Sequence, residues 1–301
     1  MSPMRVVVTG ASGLIGMALT DVLEADGHEV VRLVRREPLT YDEVRWDPAA
    51  GRLDPRLLGR VDAAVNLAGA GVGARRWTDA YKRLMWRSRI DSTTVLARAL
   101  AGLPDPPRVL LSASGVDYYA DVGGEPVDES GPPGAAFLSG LCQDWEAATG
   151  PAADAGVRVC LLRFGVVLSG RGGALGAMLP LFRLGLGGRL GAGDQYWTWV
   201  ALADVLRAAR FLLRRDDVAG PVNVVAPEPV TNAELTYVLG AALRRPAVLP
   251  APAAALRLAL GEYADQILAS RRVLPRRLLD AGFVFRCPAI EAAVAAALRG
   301  Y

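Results

Sequence analysis

Three glycines spaced three apart, Gly10, Gly13 and Gly16, follow the apolar run Val6-Val7-Val8 and open onto the amphipathic segment 17–25. That order of residue types describes a buried strand, a tight turn and a helix N-terminus, the geometry that holds a dinucleotide pyrophosphate. The first turn of a helix has unpaired N–H groups and about half a positive charge, so an anion is stabilised there. A Cβ at these glycines would block the phosphate or the contact between helix and strand. Ser12, Leu14 and Ile15 share the turn and join the glycines as candidate cofactor contacts. The alternative is a glycine-rich turn that only packs.

The end of the second strand bears on which dinucleotide is held. An acid there bonds a ribose 2′-hydroxyl in NAD-binding proteins. Here the place holds Val34-Arg35-Arg36, and the nearest acid, Glu37, lies past both arginines. A guanidinium pairs with a 2′-phosphate through two N–H groups, and a carboxylate would repel it. NADP(H) is therefore the expected cofactor. The competing reading makes Arg35 and Arg36 a solvated loop pair.

These groups need a scaffold, and the pattern supplies one. Strands are expected at Val6–Val8, Glu29–Val34, Ala63–Leu67, Val109–Leu111 and Val157–Leu162. Helical patterns alternate with them over 14–25, 78–100 and 137–148. Such a rhythm implies an α/β fold, a doubly wound parallel sheet covered on both faces. After about residue 165 the rhythm weakens. Gly170–Gly176 reads as a loop and Pro180–Leu190 as a short apolar helix with more glycine. Asp204–Leu213 reads as a helix, Val222–Val225 as a short strand, and Thr231-Asn232-Ala233-Glu234 as a capping box opening a helix to Leu243. The last helix spans 289–298. The expected organisation is a nucleotide-binding Rossmann domain over 1–165, with segments returning over 200–225. A substrate-facing region over 166–301 is interwoven with it and includes a C-terminal module over 248–297.

With 301 residues, 52% of them hydrophobic, the chain can bury a sizeable core. Its net charge of +3 is spread over scattered arginines, and no basic run alternates with aromatics, so no nucleic-acid partner is expected. Lys82 is the only lysine. Three irregularly spaced cysteines, Cys142, Cys160 and Cys287, fit a reduced compartment and argue against a disulfide frame or a metal site. The single histidine, His28, reads as part of a surface turn, which leaves no zinc site and no histidine-dependent nucleophile. No apolar run reaches ~18 residues without a charge, and the first strand starts too early to leave room for a signal peptide. A cytoplasmic protein with no membrane partner is expected, with a homodimer as an admissible assembly.

Longer motifs make a resemblance specific. Thr9 to Gly16, then Asn66-Leu67-Ala68-Gly69, resemble the extended or atypical short-chain dehydrogenase/reductase superfamily. Arg76-Trp77 with Ser88-Arg89-Ile90, Asp117-Tyr118-Tyr119, Trp145-Glu146 and Arg163 to Leu168 narrow it. Phe182 to Gly188 and Thr231 to Glu234 complete the set. Together they are similar to the sugar-nucleotide-epimerase-like "epimerase family", some of whose members are labelled cell-division inhibitors. The resemblance covers nearly the whole chain. It implies a Rossmann domain with a small C-terminal substrate domain, NADP(H) as cofactor, Arg35 as the phosphate contact and Arg89 as a second cation on the cofactor side. Leu67, Ala68 and Gly69 would pass under the adenine and ribose, and Gly165 and Val166 would also contact the cofactor.

The superfamily's Tyr-x-x-x-Lys pair, in which lysine lowers a tyrosine pKa from about 10 so that it exchanges protons near neutrality, is absent. Counting back from Glu146 puts Leu138 and Cys142, or Phe137 and Leu141, at the two places. What remains near the implied nicotinamide is Ser114, Asp117, Tyr118 and Tyr119. Either tyrosine could donate a proton, with Ser114 orienting the substrate and Asp117 as a further acid or base. The bland reading has the tyrosines packing and Asp117 capping a turn. Trp197 and Trp199 are candidate walls of the substrate pocket, or core residues. Family members commonly carry a histidine two residues after the second aromatic; here that place is Ala201. Arg183, Arg189 and Asp204 are further pocket candidates, while Arg271-Arg272 and Arg276-Arg277 read as a solvated face. Two functions remain: an NADP(H)-dependent oxidoreductase or epimerase with non-standard proton transfer on a small-molecule substrate, or a catalytically silent NADP(H)-binding redox sensor or regulator.

Overall fold

The structure, a computed structural model, describes residues 3–299. Seven parallel strands build the central sheet: β1 (Arg5–Thr9), β2 (Glu29–Val34), β3 (Glu43–Arg45), β4 (Ala63–Asn66), β5 (Val109–Gly115), β6 (Arg158–Phe164) and β7 (Gly220–Val224). Their order across the sheet is β7-β6-β5-β4-β1-β2-β3. The chain winds outward from β1 in one direction and then, from β4, in the other. This is the doubly wound arrangement, and its switch point lies between β1 and β4, where ligands of such sheets bind beyond the strand C-termini.

Alternation along β1 distributes the core. Val6 and Val8 face one side, where they meet Leu19 and Leu23 of α1 (Leu14–Ala25). Val7 faces the other, against Leu96 and Leu100 of α2 (Asp79–Ala101). Both sides are apolar because a parallel sheet is covered on each face. Thr78 caps α2, its hydroxyl accepting from the Tyr81 N–H. Next come α3 (Phe137–Ala147), α4 (Gly173–Arg183), α5 (Leu202–Arg214), α6 (Asn232–Leu243) and α7 (Ile290–Leu298). The α5 helix covers the same face as α1, with Val205, Ala208 and Leu212 in that core. The α4, α6 and α7 helices share a separate core around Leu179, Leu239 and Val294.

Several expectations need correction. β3 was not expected, being three residues long. The segment read as a glycine loop followed by a helix from Pro180 is helical from Gly173 to Arg183, with Pro180 inside. The segment over 248–297, for which only the last helix was expected, also contains the helices Ala253–Leu260 and Tyr263–Leu268. His28 is not on the surface: it is 7% exposed, and its Nδ1 accepts from the Met4 N–H at 3.1 Å. Burial lowers its pKa, with Asp26 opposing. The three cysteines are free and buried. No helix among the described residues is long and apolar enough to cross a membrane.

Candidate functional site

The glycine turn runs from the C-terminal end of β1 to the start of α1, beside the switch point. Its three glycines meet different constraints. Gly10 has φ +67°, and a Cβ there would lie 2.5 Å from the Leu67 carbonyl oxygen. A Cβ on Gly16 would sit 2.1 Å from the Gly10 oxygen. These two let helix, turn and β4 approach closely. Gly13 is exposed, and its Cβ would meet only the Gly10 oxygen, at 3.3 Å. Gly13 occupies the N-cap of α1, and no side chain caps the helix. The first-turn donors are thus left for a ligand, and a Gly13 side chain would fill the space in front of them. Ser12 is exposed at this rim, while Leu14 and Ile15 are half-buried.

The Thr9 hydroxyl donates to Asn66 Oδ1 at 2.7 Å and accepts from the Leu67 and Ala68 N–H groups. Asn66 Nδ2 donates to Thr93 and Ser112, and Trp145 Nε1 donates to Thr93. This buried network fixes the Leu67-Ala68-Gly69 strip at the end of β4. Arg89 lies against Gly69, stacks 4.9 Å from the Trp145 ring centroid and donates to the Met85 carbonyl. It is 8% exposed.

Arg35 and Arg36 part company. Arg36 is committed to Glu43 of β3 through two bonds, of 2.7 and 2.5 Å. The Arg36 bonds hold the Glu43 carboxyl down at about 2. Arg35, just past β2, is exposed and makes no side-chain hydrogen bond or ion pair among the described residues. Together the uncapped α1 and the unengaged Arg35 fit the pyrophosphate and 2′-phosphate of NADP(H). Gly165 and Val166 pack against the 198 segment: the Val166 N–H donates to the Thr198 oxygen at 2.8 Å, and a Gly165 Cβ would meet that oxygen at 2.8 Å.

Beyond β5 the expected catalytic residues separate. Tyr119 is fully buried, with its hydroxyl bonded to Arg163 at 2.9 Å and Asn223 at 2.8 Å. Burial, opposed by Arg163, pushes its pKa up to about 12. The expectation that it donates protons to substrate is corrected accordingly. Ser114 is 4% exposed and donates to Glu146 at 2.7 Å. Glu146 in turn takes two bonds from Arg163, each 2.8 Å, so Ser114 belongs to a buried ion-pair network and is not free to orient substrate. Tyr118 is half-buried, its ring covered by the Arg163 guanidinium 3.4 Å from the centroid.

Asp117 remains a third exposed and pairs with Arg271 at 3.3 Å. Burial raises its pKa, while Arg271 and Arg89 pull it down. A carboxyl so placed can hold a proton above the usual carboxylate range, which suits an acid or base. On α3, Leu138 and Cys142 face the same region, 3% and 5% exposed. The Cys142 thiol is pushed up to about 12 by burial, with Asp117 adding to the shift. No proton-exchanging pair stands there.

Trp199 is core: fully buried, with Nε1 donating to the Glu228 carbonyl. Trp197 is half-buried and bonded to the Ile267 carbonyl at 3.2 Å. Asp204 is 1% exposed and accepts from the N–H groups of Arg286 and Cys287 at 2.7 and 2.8 Å, which makes it a clasp on the C-terminal segment and not a pocket wall. Arg183 and Arg189 are exposed.

Two residues of the site escaped the sequence reading. Arg271 is 7% exposed, not part of a solvated face; its Nε donates to the Tyr119 carbonyl and its Nη2 to Gln266. Tyr263 packs on Trp77, ring centroids 5.5 Å apart, and burial followed by Asp117 raises its pKa. Beside it Lys82 pairs with Glu262 and lies 5.1 Å from the Phe137 ring centroid. No local signal marks either residue, because Asp117, which pairs with Arg271, and Trp77, on which Tyr263 packs, come from far earlier in the chain.

Comparison with known proteins adds three kinds of likeness. Residues 6–226 match the model of the NAD dependent epimerase/dehydratase family, and 251–297 match a domain of unknown function, DUF1731. An epimerase family protein of Mycobacterium tuberculosis is 47% identical over 281 residues, 93% of either chain. The crystal structure of human epimerase family protein SDR39U1 (isoform 2) with NADPH is 37% identical, covers 99% of this chain and 100% of its own, and superposes with a TM-score of 0.91. A nucleoside-diphosphate sugar epimerase from Corynebacterium glutamicum is 38% identical with a TM-score of 0.81, covering all of this chain and 59% of its own.

Proposed function

The chain belongs to the NAD dependent epimerase/dehydratase family, and from that premise we propose that it binds NADP(H) and acts as an oxidoreductase or epimerase-like enzyme on a small molecule. The observation that carries the reading is the uncapped α1 N-terminus at the switch point, with Arg35 unengaged beside it. The human relative solved with NADPH supports the choice of cofactor.

NADP(H), when bound, supplies or accepts a hydride. The α1 N–H groups hold its pyrophosphate, Arg35 its 2′-phosphate, and the Leu67-Ala68-Gly69 strip its adenosine side. Proton transfer to or from a substrate oxygen falls to Asp117, held by Arg271, with Tyr118 as the neighbouring hydroxyl. Arg163 fixes Tyr118 by stacking on its ring, and Glu146 fixes Arg163.

A second reading has its own support. Where the superfamily carries its tyrosine and lysine, α3 presents Leu138 and Cys142, both buried and apolar in character. A silent NADP(H)-binding sensor needs nothing more than the cofactor cradle. Calorimetric titration with NADPH and NADH, followed by a screen of carbonyl and imine compounds for NADPH oxidation, separates the readings. Tight NADPH binding with turnover supports the enzyme. Tight binding with no turnover across the screen supports the sensor. Equal affinity for both dinucleotides overturns the choice of cofactor.

A further inference from the structure

Four tyrosines stand around the C-terminal ends of β4 and β5. The Tyr119 hydroxyl accepts from Arg163 and donates to Asn223, and the Tyr81 hydroxyl donates to the Gly71 carbonyl. Tyr118 and Tyr263 make no hydrogen bond through their hydroxyls among the described residues. A tyrosine hydroxyl taken out of water usually finds a partner, so one left open beside a ligand site is available to the ligand. Tyr118 already has a part next to Asp117. Tyr263 has none.

Tyr263 reaches the site from the opposite wall. It opens the helix Tyr263–Leu268, which is tied down at three points. The Tyr263 ring lies on Trp77, and Trp77 meets Phe137 edge-on at the head of α3. The Ile267 carbonyl accepts from Trp197 Nε1 at 3.2 Å. Gln266 Oε1 accepts from Arg271 Nη2 at 3.1 Å, and Nη1 of the same guanidinium pairs with Asp117. The Tyr263 hydroxyl itself lies against the loop after β4: a Cβ on Gly73 would be 2.9 Å from it. The Asp117 charge reaches the phenol as well, adding to the rise that burial gives its pKa. The helix thus roofs the space beyond β4 and β5, where ligands of such sheets bind. Asp117 and Tyr118 stand below it, and an open phenol stands above.

We propose that the Tyr263 hydroxyl is a second anchor for the substrate and makes the site selective for carbonyl compounds with a hydroxyl on the neighbouring carbon. The inference rests on the enzyme reading above. Asp117 and Tyr118 serve the reacting oxygen from the β5 side. Across from them a group that both donates and accepts selects a substrate with a second oxygen. Arg271 spans roof and floor with one guanidinium, so the two oxygens lie close together. A site that bonds a substrate hydroxyl discriminates against the analogue that lacks it.

The test uses the full chain with NADPH and two pairs of ketones: hydroxyacetone against acetone, and 2-hydroxyacetophenone against acetophenone. The readout is kcat/KM for NADPH oxidation. The parent should favour the hydroxylated member of each pair by about tenfold, the worth of one hydrogen bond. Tyr263→Phe should bring the two members of each pair level. Gly73→Ala keeps the phenol but crowds its hydroxyl out of place, and it should lower the preference too. NADPH affinity should stay at the parent value in both variants, because neither residue belongs to the cofactor cradle. A parent without the preference, or a Tyr263→Phe variant that retains it, overturns the inference and leaves the enzyme reading intact. Equal losses for both members of a pair would mark a phenol that only packs on Trp77, and would overturn it as well. Tight NADPH binding with no turnover of either hydroxylated ketone also overturns it. Turnover elsewhere in the carbonyl and imine screen then decides whether the enzyme reading falls with it.

Discussion

The Arg271 guanidinium lies 3.3 Å from the Asp117 carboxylate, although 153 residues separate the two in the chain. The contact ties the loop after β5 to the C-terminal segment, and it opposes the effect of burial on the Asp117 carboxyl. Burial outweighs the pull of Arg271 and Arg89, so the folded pKa of Asp117 lies above its unfolded value. Stability from this group is fully present below the unfolded pKa of about 3.9, and it is lost as pH rises through the folded pKa. Asp117→Asn should therefore melt higher than the parent at neutral pH, and the difference should vanish toward pH ~4. Melting temperatures across that range check the sign. A variant less stable than the parent at pH 7 would mean that Arg271 outweighs burial.

Arg35→Ala should weaken NADPH binding by about 1.5–3 kcal/mol, the contribution of a bond to a charged group, and leave NADH nearly unchanged. Arg36→Ala should have the smaller effect on NADPH, because Arg36 is held by Glu43. Titration calorimetry of the four combinations decides the matter; equal losses for the two variants would mean that Arg36 leaves Glu43 on binding.

Gly13→Val and Gly16→Val should fail differently. The first is expected to fold and lose the dinucleotide, since its side chain enters the open cradle. The second drives a Cβ to 2.1 Å from the Gly10 oxygen and should unfold or melt far lower. Circular dichroism with NADPH fluorescence separates them. Retained binding in Gly13→Val would show that the pyrophosphate lies elsewhere.

Tyr118→Phe and Tyr119→Phe form another contrasting pair. Removing the buried Tyr119 hydroxyl leaves Arg163 Nη1 and Asn223 Oδ1 without it, at a cost of about 1–3 kcal/mol and with no direct part in turnover. If Tyr118 donates the proton, its loss lowers the rate by about 10²–10⁴ with little change in stability. Urea denaturation and NADPH oxidation, measured on both, give the answer; full turnover in Tyr118→Phe would leave Asp117 as the proton carrier.

Glu146→Gln keeps the shape of the side chain but removes the charge opposite Arg163, whose side chain is 2% exposed. Breaking a buried pair from one side costs about 3–5 kcal/mol. A loss below ~1 kcal/mol in urea denaturation would place the pair in the range of solvated ion pairs.

What the sequence disclosed follows from the range of the forces involved. The glycine turn, the β1–α1 unit and the α6 capping box depend on neighbours a few residues away, and they were legible. β3 was hidden because three residues carry too little periodicity. A Gly-His-Glu turn looks solvated in the sequence, whereas the burial of His28 comes with its bond to the Met4 N–H, 24 residues earlier. Tyr118 and Tyr119 are adjacent and chemically alike, yet Arg163, Asn223 and Glu146 give them different environments. Those partners come from three separate elements. Arg271 looks like any arginine of a basic pair until its fold contact with Asp117 is known. The glycine turn is set by near neighbours, whereas the surroundings of Asp117 are assembled from distant segments, so only the first could be read in advance.

Lys82 gives the chain an experimental handle. It is the only lysine in 301 residues, it is a quarter exposed, and it pairs with Glu262 across the seam between α2 and the 263–268 helix. An amine-reactive probe therefore has one side-chain target. A fluorophore placed there would sit beside Trp77, within energy-transfer distance of an indole. Its emission would report the opening of the seam, with no engineered cysteine needed.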